Sequence, residues 1–247
     1  MGEASEHDFS FRSINVPGNL QTLKLCCNCK LVVISTMGLR ESKKLQTRQE
    51  IADRAMQLFV KRGFDRVTVA EVAQAAGVSE KTVYNYFPTK EDLFFDEVPA
   101  REAAIVAAIR DRRDGDSILS ALRRLQAGEC GRLCSPSFAT FARIIEESPA
   151  LQAKELEVMA RFVHVITDTL EAELGVDERD ARVAAGLLVS VHRQLFRAAR
   201  RQALDGKHGP AAARRLRADL ERAYHLLEHG LGELERPSPD VGAVHTA

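Results

Sequence analysis

Three sets of side chains in this sequence have the types and spacing to do chemistry. Cys26 and Cys29 form a Cys-x-x-Cys unit with Cys27 between them, and Cys130 and Cys134 stand four apart. Paired thiolates can hold zinc, but a structural site needs a second ligand pair at suitable spacing, and no second Cys-x-x-Cys unit follows. Five cysteines are also an odd number without the spread of a disulfide framework. Reduced thiols in a reducing compartment are the expectation, with no metal and no cofactor. Glu146-Glu147 and Glu155/Glu157 are acidic pairs, yet no Glu-x-x-His unit accompanies them as a di-metal helical bundle would require. The third set is basic. From Arg40 to Lys90 ten Lys and Arg side chains stand against six acids, although the whole chain balances 35 against 35. A local positive excess is what a phosphate backbone attracts. There is no Gly-rich phosphate loop, no His-Glu-x-x-His helix and no nucleophile elbow. A non-enzymatic protein is expected, an all-helical enzyme being the alternative.

The elements that must position the basic set are helical. Thr47-Arg-Gln-Glu50 reads as a capping box, followed by Ile51, Ala55, Leu58 and Phe59 at helical spacing. Gly63 is placed to end that helix in a left-handed turn. Thr68-Val-Ala-Glu71 is a second capping box, opening a short helix that Gly77 stops. Ser79 caps a third helix, Glu80 to Phe87, which Pro88 terminates by disfavouring helix at the residue before it. Two short helices joined at Ala76-Gly77-Val78-Ser79 have the anatomy of a helix-turn-helix. Gly77 supplies the positive φ of the turn, Ala73 is small where the helices cross, and Val78 and Val83 are apolar where the corner packs.

The stretch Gly63-Phe-Asp-Arg-Val-Thr-Val-Ala-Glu-Val-Ala-Gln-Ala-Ala-Gly-Val-Ser-Glu-Lys-Thr-Val-Tyr-Asn-Tyr-Phe-Pro-Thr-Lys-Glu-Asp-Leu93 closely resembles the DNA-binding region of the TetR family of transcriptional regulators. The resemblance covers about Arg48 to Leu93 and does not extend to the C-terminal half. It implies that the third helix is the recognition helix in the major groove. Lys81 and Thr82 would then meet bases or phosphates, Tyr84 and Asn85 would be the exposed groove contacts, and Tyr86 would touch the backbone, with Phe87 packed inward. Thr68 and Lys90, each at a helix start, would hold phosphates. Arg40, Lys43, Lys44 and Arg48 would form an arm along the backbone or in the minor groove. A helical interaction module with a vestigial helix-turn-helix is the rival reading.

The expected fold is therefore all-α. An N-terminal three-helix DNA-binding domain spans 37–93, and a larger C-terminal helical domain for ligand sensing and dimerisation spans 94–236. Residues 1–36 are expected to be a disordered leader or extension, with Met37 a candidate start, and 237–247 a flexible tail. Helices are expected near 90–112 (kinked at Pro99), 116–128, 136–147, 149–174, 178–205 and 210–235. Leu216, Leu220, Ala223, Leu227, Gly230 and Leu234, with Ala184, Leu187, Leu188, Val191, Leu195 and Ala199, form seams suited to pairing with a second copy or to the chain's own core. Phe138, Phe141, Ile145, Met159, Phe162, Val163 and Ile166 would line an apolar ligand cavity, with Arg143, His164, His192 and Gln194 as polar groups beside it. The expected partners are a double-stranded DNA operator, a second copy of the chain and a small-molecule effector. The expected mechanism is repression relieved by that effector through the helix that starts at Thr89. No run of about twenty apolar residues could cross a bilayer, and the cytoplasm is the expected compartment.

Overall fold

The computed structural model describes residues 12–14, 23–25, 31–32 and 39–230, with side chains from residue 41 onward. Three short strands, β1 (Arg12–Ile14), β2 (Leu23–Leu25) and β3 (Leu31–Val32), pair antiparallel in the order β1-β2-β3. Lys24 lies opposite Ser13 on one side and Val32 on the other. The rest of the expected leader, and the tail from residue 231, lie outside the described residues. The packed part of the chain is all helical, as expected: α1 (Leu39–Arg62), α2 (Val69–Ala76), α3 (Glu80–Tyr86), α4 (Lys90–Phe94), α5 (Val98–Arg110), α6 (Ile118–Leu133), α7 (Pro136–Glu146), α8 (Pro149–Leu174), α9 (Glu178–Leu204) and α10 (Gly209–His229).

Packing divides the chain into two compact units. Among the described residues, the first takes those up to Ala103 together with Ser137–Val158, and the second takes Ala104–Pro136 and those from Met159 on. Helices α5 and α8 each contribute residues to both.

The core of the first unit is aromatic. Ile51, Ala55 and Phe59 of α1 are fully buried, against Val72 and Ala73 of α2, Val83 of α3, and Leu93 and Phe94 of α4. Phe59 and Phe64 lie 4.9 Å apart, and Phe141 of α7 stacks on Phe94 at 4.5 Å. Each such buried ring contributes about 1.5–3 kcal/mol. Ile144, Ile145 and Leu151 complete this core from α7 and α8. Ser148 Oγ donates to Asp65 Oδ1 at 2.8 Å.

The second unit packs α6 against α10 and α9, and α10 against α9. Ala181, Ala185 and Ala199 keep the buried face of α9 slim, while Leu216, Leu220 and Tyr224 fill the gap from α10. Two backbone acceptors of α6 and its C-cap are engaged from α10, Ala127 by the Arg217 guanidinium at 3.1 Å and the C-cap Cys134 by the Gly209 N–H at 2.9 Å. Cys130 and Cys134 are buried free thiols, and burial pushes both upward, which keeps them protonated and inert.

Four details differ from the sequence reading. Helix α1 begins at Leu39, eight residues before the expected cap, because Leu39 to Gln46 are good helix formers. Glu50 accepts from the Gln46 side chain at 2.9 Å, within the helix, rather than capping at Thr47. The helix expected to bend at Pro99 is two helices separated at Phe95 to Glu97, and Pro99 sits in the first turn of α5, where its missing N–H costs nothing. Helix α6 runs through Gly128 to Leu133, carried by burial of Cys130 and Leu133. Much of the expected seam is the chain's own core: Leu188, Val191, Leu195, Ala199, Leu216 and Leu220 are all buried within it.

Candidate nucleic-acid interface

The turn between α2 and α3 is built by local hydrogen bonding. Gly77 takes φ 66°, and its N–H is directed at the Ala73 and Gln74 carbonyls. The Val78 N–H reaches Ala73 O at 3.0 Å. Ser79 Oγ then accepts from the Thr82 N–H at 3.1 Å and pairs with Thr82 Oγ1 at 2.8 Å. At the far end Phe87 is extended before Pro88, which stops the helix.

This frame gives α3 two faces. Val83 and Phe87, four apart, are both 1% exposed and anchor it to the head. Lys81, Tyr84 and Asn85 lie on the opposite side and are exposed, Tyr84 to 49%. An ammonium, a phenol and a carboxamide on one helical face supply donors for phosphates and for base edges. Tyr86 and Thr82 are half-buried at the flanks.

The remaining expected contacts fare differently. Lys43 and Lys44 are exposed on α1, and the side chain of Arg40 lies outside the described part. Lys90 holds its Nζ 4.1 Å from the centre of the Phe64 ring, a cation–π contact. Arg48 is turned into the head, donating to the Asp96 carbonyl at 3.0 Å with its guanidinium 4.6 Å from the Phe87 ring centre. Thr68 caps α2, and its N–H and hydroxyl both donate to Glu71 Oε2, at 2.8 and 3.0 Å. Both groups assigned to a phosphate are therefore held by a carboxylate, which a phosphate would have to displace. Those bonds, with the Arg62 guanidinium 2.7 Å from Glu71 Oε1, bring the Glu71 pKa down to about 2. Thr89 caps α4 in the same way through Asp92. Burial raises the Asp92 pKa, but bonds from Thr89 and Lys154 outweigh it and leave the carboxyl below its usual range.

The expected ligand residues are divided between the two units. Phe138 and Phe141 belong to the aromatic cluster of the first unit, and Arg143 is exposed. In the second unit Met159 is half-buried, His164 is exposed near Asp168, and Gln194 is exposed. Phe162 and His192 do meet, edge to face with ring centres 5.5 Å apart, at the wall of a small cavity. Ile105, Leu122, Ile166, Leu188 and Val189 supply the rest of the apolar wall, and Gln126 joins His192 as its polar part. Gln126 escaped the sequence reading because a lone glutamine on a helix carries no pattern. A second overlooked pair is His225 and His229 on α10, exposed with rings stacked at 4.2 Å. Among the described residues no three His, Cys, Asp or Glu side chains are grouped to hold a metal ion. Cys26 and Cys29 lie outside them. No described helix is long and apolar enough to cross a membrane.

Comparison with known proteins bears on the head most directly. The model for bacterial regulatory proteins, tetR family, matches residues 51–96. The HTH-type transcriptional regulator TcmR of Streptomyces glaucescens is 28% identical over 151 residues, covering 58% of this chain and 67% of that protein. The HTH-type transcriptional regulator LuxR of Vibrio harveyi is 46% identical over 54 residues, which is 22% of this chain and 26% of the relative's length. Among solved structures, Thermus thermophilus FadR, a TetR family transcriptional repressor in complex with lauroyl-CoA, aligns at TM-score 0.47 and 26% identity, covering 79% of this chain and 100% of that one.

Proposed function

We propose that this chain, which belongs to the TetR family of transcriptional regulators, represses transcription by binding a two-fold operator in duplex DNA as a homodimer, and releases it when a small molecule enters the second unit. The observation that carries the reading is the two-faced helix α3, with Val83 and Phe87 fixing it and Lys81, Tyr84 and Asn85 presented outward. A helix held in this way lays its exposed face along the major groove, with Lys43, Lys44 and Lys90 available to the phosphates. The chromosome places such a protein in the cytoplasm.

One helix-turn-helix reads about half an operator, so two copies are needed. Support comes from α9, where the aliphatic side chains of Val183 and Leu187, four positions apart, are 65% and 52% exposed.

Effector release requires a ligand that binds one of two states more tightly. Helix α8 supplies residues to both units. Lys154 on α8 pairs with Asp92 of α4 at 3.1 Å, and Phe162 and Ile166, eight and twelve positions further along the same helix, form cavity wall.

The test is fluorescence anisotropy of the purified protein with DNA flanking its own gene, across a salt series. Saturable, sequence-selective binding that weakens steeply with salt is expected. Weak, sequence-indifferent binding would overturn the operator reading.

A further inference from the structure

Gln126 is 7% exposed at the wall of a small cavity in the second unit, and its side-chain oxygen has no hydrogen-bond partner among the described residues. A buried amide oxygen left without a donor destabilises the protein until a donor reaches it. We propose that this cavity takes a neutral, largely apolar molecule bearing one hydroxyl group, whose O–H donates to Gln126 Oε1. The proposal rests on the effector reading above and gives that effector its chemical class.

The wall decides the class. Leu122, Phe162, Ile166 and Leu188 surround Gln126 with aliphatic and aromatic surface, and His192 presents the other polar edge. Among the described residues no lysine, arginine, aspartate or glutamate lines the cavity, so an ionic ligand would lose its hydration without a counter-charge. A ketone or ether offers only acceptors and leaves the Gln126 oxygen as it was. An alcohol or phenol brings the missing donor and an acceptor besides.

Size decides how the ligand acts. The cavity holds about 10 Å³, about enough for one water. Any larger molecule enters by displacing wall side chains carried on α5, α6, α8 and α9. Its binding energy is therefore tied to a changed arrangement of those helices, which is the differential affinity that an effector needs.

The experiment titrates the full chain, without DNA, with 4-propylphenol and with its methyl ether by isothermal calorimetry. The phenol is expected to bind about tenfold more tightly than the ether. In Gln126→Leu and Gln126→Met the ratio should fall to about one while the ether still binds. Neither variant should melt below the wild type, since each removes an unpaired buried oxygen. Equal affinities in the wild type, a preference that survives both substitutions, or no binding of either probe would overturn the proposal, the last leaving the space to a single water. Selective binding that leaves operator affinity unchanged would uphold the site and count against effector release alone.

Discussion

Lys154 Nζ lies 3.1 Å from Asp92 Oδ1, joining the first turns of α8 to the capping box that opens α4, with both side chains largely shielded from water. Lys154 also reaches Glu157 at 3.1 Å. Burial lowers the Lys154 pKa, but its bonds to the two carboxylates outweigh it and raise the value above the usual lysine range. Lys154→Met should destabilise the protein by about 1 kcal/mol. It should also reduce the change in operator affinity that a ligand causes while leaving unliganded affinity nearly intact. Anisotropy titrations with and without ligand check this, and an undiminished response would refute the coupling through α8. The sign of the pH dependence follows from the two shifts. The Asp92 contribution is present above the ordinary aspartate value and is lost as pH falls through its lower folded value. The Lys154 contribution is present below the ordinary lysine value and is lost as pH rises past its higher folded value.

Tyr84 and Lys81 can be removed without touching the core. Tyr84→Ala and Lys81→Ala should each weaken operator binding by about 1–3 kcal/mol. Lys81→Ala should also make binding less sensitive to salt if its partner is a phosphate. Melting temperatures should stay close to wild type, because neither side chain is buried. Full affinity in both variants would show that α3 does not face DNA in this register.

Glu71 is the carboxylate with the clearest acid signature. Its pKa is lowered from 4.5 to about 2, so its contribution is present above 4.5 and is lost as pH falls towards 2. Glu71→Gln should flatten the decline of stability in that interval, as read from denaturant titrations between pH 5 and pH 2. Thr68→Ala removes the cap itself and should cost about 1 kcal/mol at neutral pH. Unchanged acid sensitivity in Glu71→Gln would mean that another carboxylate sets it.

What could be read in the sequence was whatever is local. The caps at Thr68, Ser79 and Thr89 and the stop at Gly77 each depend on residues within four positions of one another. The outward set on α3 follows from the period of a helix once Val83 and Phe87 are taken as inward. Arg48 was not legible, because the Asp96 carbonyl and the Phe87 ring that hold it are 48 and 39 positions away. The Thr47 box failed for the opposite reason: a correct local motif was overridden by helix-forming residues upstream. In the second unit every helix has an apolar face, and periodicity cannot tell core from cavity wall. Gln126 acquires meaning only when α5, α6, α8 and α9 surround it.

Leu187 and Val183 mark the face of α9 on which the proposed second copy would sit. They are four apart on α9 and exposed, while Leu188 and Val191 beside them face the chain's own core. Removing two large exposed aliphatic side chains from water would stabilise association by about 1.5–3 kcal/mol for each one fully buried. Leu187→Glu should therefore shift the protein towards monomer in sedimentation equilibrium at micromolar concentration, two glutamates being brought close together at a two-fold interface. Operator affinity should fall with it, since one recognition helix alone reads half a site. The melting temperature measured well below the dissociation constant should be unaffected, because Leu187 is not part of the monomer's core. A wild-type protein that is monomeric at these concentrations, or a Leu187→Glu variant that stays dimeric, would move the interface away from this face of α9.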